Sequence, residues 1–161
     1  MGIDRRTFLA GGAALLTGAA VSAGCAGLRR TRSENIIMTV GGAIAPRKLG
    51  KALTHEHVLV DFIGAEQVNR SRYQSDEVFA VALPHLRRVR ELGCESLFEC
   101  TPAYIGRDPV LLRRLSEATG LNLITNIGYY GAGQNKYLPA HARSETADAL
   151  AARWIREWHE G

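Results

Sequence analysis

The chain has 161 residues, of which 46% are hydrophobic and 22% are charged, as is usual for one globular domain. Its formal net charge is +4, but residues 1–32 carry five arginines against one aspartate, which leaves 15 basic and 15 acidic side chains in residues 33–161. Because the body of the chain is neutral, the charge does not indicate a nucleic-acid-binding surface, and we expect no nucleic-acid partner.

Residues 1–32 are predicted to be an export signal and a linker. Arg5 and Arg6 precede a Phe-Leu pair and a run of small, apolar residues that ends near Cys25. This run is short and glycine-rich for a membrane span, and its start resembles a twin-arginine signal, whose cargo is exported already folded. We therefore expect an exported, periplasmic or extracytoplasmic location, with the membrane involved only through this signal. Lipidation at Cys25 is a minor alternative, because Ser22 stands where the lipoprotein cleavage box usually has leucine.

The rest of the chain predicts alternating strands and helices. A short hairpin is expected within residues 35–50, where two apolar runs flank Gly41-Gly42. The elements expected next are strand 53–62, helix 76–92 with Ser75 as its cap, strand 95–101, helix 109–119 with Asp108 as its cap, strand 121–127, a loop over 128–143, and a helix capped by Ser144. Pro84 is expected to break or kink the first helix. The last helix carries an apolar stripe of Ala147, Leu150, Ala151, Trp154, Ile155 and Trp158.

The three main strands are continuous apolar runs rather than polar–apolar alternations. Such runs are typical of a parallel sheet with both faces covered. The predicted fold class is α/β, with about three β/α units forming the N-terminal part of a TIM-type (β/α)8 barrel behind the hairpin. A complete barrel needs about 250 residues, so the barrel domain predicted for residues 33–161 is incomplete.

Two histidines interrupt the first strand, in the segment ALTHEHVLVDF over residues 52–62. Side chains two apart on a strand share a face, so His55 and His57 are expected to point the same way. Two neutral imidazoles can hold zinc or a similar divalent ion, although a catalytic zinc needs at least three protein ligands. The other histidines (His85, His141 and His159) are expected at the surface, and the cysteines of the body (Cys94 and Cys100) are expected to be buried and unbridged.

Several segments resemble signatures of the phosphotriesterase family of the amidohydrolase superfamily. In that family a Gly-x-Thr-Leu-x-His-Glu-His segment forms strand one, and Gly50–Val58 matches it except that Ala52 replaces the usual threonine. The segments Glu99–Pro102, Gly106–Pro109 and Asn126–Gly131 are similar to the family's second strand, the following helix start and the third-strand loop. The resemblance covers about residues 36–161.

The resemblance implies a metal-dependent hydrolase of ester bonds, of the phosphotriester or lactone class, whose nucleophile is a metal-activated hydroxide. His55 and His57 match strand-one ligands of the more buried of two divalent metals, for which zinc is the expected ion. Tyr129 and Tyr130 match aromatic residues that line the substrate pocket, with packing at the barrel mouth as their alternative role. The implied partner is a small ester or lactone substrate, and a homo-oligomer is possible.

The family's remaining ligands, a carboxylated lysine, two histidines and an aspartate, have no counterpart in the sequence. Lys136 is expected to be solvent-exposed, and Asp61 is expected to be a polar group at the strand end or a support for a ligand. The first hypothesis is therefore an N-terminal portion of such a hydrolase, inactive alone. The second is an exported non-enzymatic chain that binds one metal or complements another chain. The third is another amidohydrolase branch, such as a nuclease or deaminase, which the matching second strand and tyrosine loop disfavour.

Overall fold

A computed structural model describes residues 35–160, so the predicted export signal, with Arg5, Arg6 and Cys25, lies outside the described residues. The elements in chain order are β1 (Ile37–Thr39), β2 (Gly42–Ile44), β3 (Ala52–Glu56), α1 (Ser75–Glu91), β4 (Ser96–Glu99), α2 (Pro109–Thr119), β5 (Asn122–Thr125) and α3 (Ala147–Glu160). Over the described range, no helix combines the length and apolar character that crossing a bilayer requires.

The three later strands form a parallel sheet in the order β3-β4-β5. The β4–β5 register is regular, and it sets Leu97 beside Leu123. Because these two leucines point to the side of the sheet that α1 and α2 cover, they join the leucines of both helices in one core. That core consists of Leu86, Leu97, Leu111, Leu112, Leu115, Leu121 and Leu123. The predicted fold class is confirmed: parallel β/α units of a TIM-type barrel that is not closed.

The predicted hairpin is also present and lies at the outer edge of β5. Strands β1 and β2 pair antiparallel, with Ile37 opposite Ile44. The N–H of Asn122 donates a hydrogen bond to the Glu95 carbonyl, on the β4 side of β5. Because successive residues of a strand point their backbone groups to opposite edges, the carbonyl of Leu123 faces the other edge of β5. That carbonyl accepts a hydrogen bond from Val40 N at 2.9 Å. The hairpin therefore covers part of an otherwise unpaired strand edge.

The helix starts differ from prediction at two of three positions. Asp108 caps α2 as predicted, since its carboxylate accepts hydrogen bonds from the N–H groups of Val110 and Leu111 at 3.1 and 3.2 Å. Ser75 is the first residue of α1 rather than its cap, which is Gln74. Ser144 is wrong as the cap of α3, because it ends the preceding 3₁₀ turn. Thr146 takes that place, and its hydroxyl accepts from Ala149 N at 3.2 Å.

Two further predictions about the helices are corrected. Helix α1 runs unbroken through Pro84, whose ring is exposed, so the missing N–H removes a backbone hydrogen bond without ending the helix. The inner face of α3 is formed by the half-buried residues Leu150, Arg153, Trp154 and Glu157. The predicted stripe is thus only partly covered, since Ile155 and Trp158 remain 58% and 55% exposed. Ion pairs made by Arg153 and Glu157 hold the helix by this different face.

The remaining differences concern strand ends and cysteines. All three main strands are shorter than predicted, most of all β3, which stops at Glu56 where its pairing with Glu99 ends. Cys94 and Cys100 are free, as expected, but half-buried rather than buried, because both lie toward the rim of the sheet.

Candidate functional site

A shift in strand pairing decides which way the histidine pair faces. Leu53 pairs with Leu97 and Glu56 pairs with Glu99. Between these two pairs β3 therefore advances by three residues while β4 advances by two, so β3 contains one extra residue. This extra residue reverses the alternation of side chains beyond it. His55 consequently lies on the face opposite Leu97, and His57, the first residue after the strand, borders a groove that α1 also lines. Their rings are close together, with centroids 5.3 Å apart and planes at 74°, and both side chains are exposed.

His57 is held by a chain of buried polar groups at the carboxyl end of β4. Its Nδ1 lies 2.9 Å from the Thr101 hydroxyl, which in turn donates to the Glu99 carboxylate. The same carboxylate accepts from the backbone N–H groups of Val58 at 3.1 Å and Thr101 at 3.2 Å. Thr101 is fully buried and Glu99 is 2% exposed, so an exposed imidazole rests on a rigid, water-free support.

Arg107 supplies the positive charge near this buried carboxylate. Burial lowers the pKa of the Arg107 guanidinium, and the charge of Glu99 opposes that shift. The guanidinium donates to the Asn126 carbonyl and to the Glu157 carboxylate of α3. Arg107 therefore connects the β4–α2 loop to the end of β5 and to α3 in a single set of contacts.

The loop that follows His57 is fixed against the β4–α2 loop. Asp61 N donates to the Ile105 carbonyl at 2.8 Å, and the Asp61 carboxylate accepts from Arg72 Nε at 2.5 Å. The hydrogen bond from Arg72 is the main reason that the pKa of Asp61 lies below its usual value. Asp61 is thus a structural clamp of this loop, and its carboxylate bonds within the loop rather than to either histidine.

Asp108 joins the same two loops from the other side. Besides capping α2, it accepts a hydrogen bond from the Tyr73 hydroxyl at 2.5 Å and pairs with Arg70 at 3.1 Å. Burial, followed by the bond to Asp108, raises the pKa of Tyr73 to about 12. These contacts hold the end of the long β3–α1 connection against the start of α2.

Tyr129 belongs to a cluster of half-buried aromatic rings after β5. Its ring packs edge-on against those of Tyr104 at 5.3 Å and Trp154 at 5.5 Å. Its hydroxyl lies 2.7 Å from Nε2 of His141. His141 was predicted at the surface and is instead half-buried, because its loop folds inward onto this cluster. Burial is the main cause of a raised pKa for the Tyr129 hydroxyl.

Tyr130 belongs to a second, more exposed cluster. Its ring lies 6.1 Å from that of Phe62 and 5.6 Å from that of Tyr137. Lys136 is exposed, as predicted, and its carbonyl accepts from Ala65 N at 3.1 Å. The loops after β3 and β5 therefore meet through this cluster. The neighbouring tyrosines thus point into different clusters, and neither cluster includes His55 or His57.

A groove of about 470 Å³ lies beside His57, between the end of β3 and α1. Its walls are mostly apolar and include Val58, Val78, Val81, Ala82 and Leu86. His85, which is exposed on α1 as predicted, lines the same groove together with Glu77.

The donor set at the histidine pair fits part of a metal site. Two adjacent imidazoles are suitable ligands for a divalent ion, and Nε2 of His57 is free of the contact that Nδ1 makes. Within residues 35–160, no group of three or more histidine, cysteine, aspartate or glutamate side chains is placed to hold an ion. The two histidines therefore fit as two members of a larger ligand set. His85 shares the groove beside His57 but does not complete a group of three ligands in the described part of the chain.

The supporting pair of Glu99 and Thr101 was not predicted from the sequence as part of the site. A signal for it existed, because a glutamate and a threonine two residues apart inside an apolar strand must find hydrogen-bond partners when they are buried.

Comparisons with known proteins agree on one family. A family model described as "Phosphotriesterase family" matches residues 35–161. Aryldialkylphosphatase of Saccharolobus solfataricus is 28% identical over 119 residues, which cover 74% of this chain and 37% of that protein. N-acetyltaurine hydrolase of Tetraodon nigroviridis is 30% identical over 121 residues, covering 58% of this chain and 35% of that protein.

Solved structures give the same result. Organophosphorus hydrolase from Deinococcus radiodurans superposes with a TM-score of 0.62 at 29% identity, covering 75% of this chain and 37% of that one. A triple mutant of that hydrolase gives a TM-score of 0.64 at 31% identity, covering 77% and 38%. The chain thus spans less than two fifths of the length of these relatives.

Proposed function

Because the chain belongs to the phosphotriesterase family, we propose that it carries part of the metal site of a hydrolase that acts on small phosphotriesters, lactones or related esters. The observation that supports this most directly is the His55–His57 pair at the carboxyl end of β3, with ring centroids 5.3 Å apart. Active sites of β/α barrels lie at this end of the sheet. The names of two relatives, an aryldialkylphosphatase and an organophosphorus hydrolase, agree with a phosphoester substrate.

In this proposal His55 and His57 are metal ligands, and zinc is the expected ion. A divalent ion held there supplies Lewis-acid chemistry, by lowering the pKa of water and polarising the ester. Thr101 and Glu99 orient His57, while Arg107 and Asp61 hold the two loops that frame the pair. Tyr129 and Tyr130 line the substrate side of the barrel mouth, where Tyr130 is the more accessible of the two.

The second candidate function is metal binding without turnover, by a non-enzymatic or complementing chain. It is favoured by the absence of any group of three or more potential ligands within residues 35–160. We further propose that residues 1–32 direct export, which cell fractionation of an Arg5→Lys/Arg6→Lys variant tests. Accumulation of the variant in the cytoplasm is the expected result, and unchanged export would contradict it.

Zinc titration of the full chain by calorimetry tests the metal site. The His55→Asn/His57→Asn variant is expected to lose zinc binding. Its zinc affinity should fall by more than the roughly 10- to 100-fold that loss of a single supporting contact typically costs. His159→Asn is the matched control, since His159 is an exposed histidine on α3. If His159→Asn weakens zinc binding as much as the double variant does, the ion binds elsewhere. Assays with a phosphotriester and a lactone on the zinc-loaded chain then separate the hydrolase from a chain that binds metal only.

A further inference from the structure

The hydroxyl of Thr101 has a single proton, and its neighbours determine where that proton points. On one side lies the Glu99 carboxylate, which can only accept hydrogen bonds. On the other side lies Nδ1 of His57, at 2.9 Å. Because the hydroxyl donates to Glu99, its oxygen can only accept from His57. The proton in the 2.9 Å contact must therefore belong to Nδ1 of the imidazole.

We propose that Thr101, oriented by Glu99, is a positioning residue that keeps the proton of neutral His57 on Nδ1 and its lone pair on Nε2. This inference rests on the proposed function in one respect only: the lone pair on Nε2 is the one offered to the metal. A neutral imidazole has one protonated and one unprotonated nitrogen, so the bond at Nδ1 decides which nitrogen can be a ligand.

The support exists before any ion binds, because it is built from buried groups that have other fixed contacts. Glu99 accepts from the backbone N–H of Val58 and from that of Thr101, so the carboxylate cannot rotate away without losing both bonds. Thr101 and Glu99 are almost completely shielded from water, and water therefore does not compete for the hydroxyl proton. His57 is therefore already in the tautomer with its lone pair on Nε2, and metal binding needs no free energy to change the tautomer.

His55 provides an internal comparison. The His55 side chain is exposed, and within residues 35–160 its ring packs edge-on against the ring of His57. No buried hydroxyl or carboxylate within residues 35–160 bonds to it. We therefore expect His55 to follow the preference of a free imidazole for a proton on Nε2 in the metal-free chain, and His57 to show the opposite tautomer.

The test is long-range ¹H–¹⁵N correlation NMR of the full, metal-free chain at about pH 8, well above the ordinary histidine pKa of about 6.5. His55→Asn and His57→Asn variants assign the two sets of ring signals by their disappearance. The expected result is a protonated Nδ1 and an unprotonated Nε2 for His57. A wild-type His57 protonated mainly on Nε2 overturns the proposal, whatever the behaviour of any variant.

Three variants show whether Thr101 is responsible. Thr101→Val removes the hydroxyl at nearly constant volume, and His57 is expected to shift toward the Nε2-protonated form, with zinc affinity lowered about 10- to 100-fold. Thr101→Ser keeps the hydroxyl and is expected to retain both the wild-type tautomer and the affinity. Thr125→Val is the matched control, because Thr125 on β5 carries a buried hydroxyl without a hydrogen-bond partner. An unchanged tautomer in folded Thr101→Val, or an equal shift in Thr125→Val, overturns the proposal.

These results separate the inference from the proposed function. If His57 is protonated on Nδ1 but the chain does not bind zinc, the positioning role is upheld and the metal site is not. If zinc binds to the histidine pair while metal-free His57 is protonated on Nε2, the metal site is upheld and the positioning role is overturned.

Discussion

Replacing Gly106 by alanine should destabilise the fold more than the same change at Gly120, although both glycines have positive φ angles. Gly106 (φ 114°) lies where the β4–α2 loop meets the loop that follows His57. An added Cβ would lie 3.2 Å from Asp61 N and 3.3 Å from the Leu59 carbonyl oxygen. Both atoms belong to the backbone, so the loop itself must move. Gly120 (φ 69°) ends α2, and an added Cβ there meets nothing within 4 Å.

The expected difference follows from two contributions. A left-handed conformation costs a residue with a Cβ about 1–2 kcal/mol. This cost applies at Gly120, whose φ is close to the left-handed helical region, and it is a minimum at Gly106, whose φ of 114° lies beyond that region. At Gly106 the loop must also shift, which strains or breaks the hydrogen bond from Asp61 N to the Ile105 carbonyl, worth about 0.5–1.5 kcal/mol. The entropy that alanine removes from the unfolded chain is similar in both variants and cancels in the comparison. We expect Gly106→Ala to lose at least about 1.5–3.5 kcal/mol and Gly120→Ala about 1–2 kcal/mol.

Urea denaturation followed by circular dichroism measures both free energies of unfolding. Equal losses in the two variants would refute the reasoning, since they would show that the close approach of the two loops contributes nothing. A second readout is zinc affinity, because the displaced segment begins immediately after His57. Gly106→Ala is expected to weaken zinc binding, and Gly120→Ala is expected to leave it unchanged.

Three further predictions concern charged and titrating groups. The hydrogen bond from Arg72 holds the pKa of Asp61 below its ordinary value of 3.8. The stability that ionised Asp61 contributes is therefore present above pH 3.8 and is lost as the pH falls through the lowered pKa. Asp61→Asn should flatten the acid side of the stability profile in urea unfolding, and an unchanged profile would contradict this. Arg107→Met leaves Glu157 unpaired and should lower the free energy of unfolding by at most about 3 kcal/mol, the low end for a buried pair, because the Glu157 side chain is 27% exposed. A double-mutant cycle with Glu157→Met should show clear coupling between the two residues. Simple additivity of the two changes would argue against this ion pair as a source of stability. The pKa of Tyr73, raised to about 12, means that its stability contribution is complete below pH 10 and is lost as the pH rises through about 12. Spectrophotometric titration should lose its highest transition in a Tyr73→Phe variant, and persistence of that transition would assign it to another tyrosine.

The elements most readily predicted from the sequence were those whose limits depend on local chemistry. Helix α2 begins and ends as predicted, since Asp108, Pro109 and Gly120 supply a cap, a preset first residue and a left-handed end. The apolar runs correctly predicted the parallel sheet, because burial on both faces leaves little room for polar residues. Helix α3 was placed less well. Its start is capped by Thr146 rather than by Ser144, and its inner face includes Arg153 and Glu157, whose ion pairs with residues outside the helix are not shown by periodicity within it.

The same distinction applies to the candidate site. The proximity of His55 and His57 follows from their spacing, and the structure places their rings together. The support of His57 by Thr101 depends on how β3 and β4 are aligned, which is a property of two strands that are more than 40 residues apart in the chain. The inward fold of His141 onto Tyr129 was missed because this loop packs against Tyr104 and Trp154, which belong to other segments of the chain.

The extra residue of β3 between Leu53 and Glu56 lets one short strand serve two purposes. Before it, Leu53 is paired with Leu97. Beyond it, the alternation is inverted, and His55 faces the side of the sheet opposite Leu97. A single deletion would remove the extra residue and leave the pairs on both sides of it in place. Loss of Thr54 would make the register between Leu53 and Glu56 regular, with His55 as the one residue between them, so the motif would keep its orientation. A homologue with an intact motif and a β3 one residue shorter is therefore expected to present the motif to the same side of the sheet.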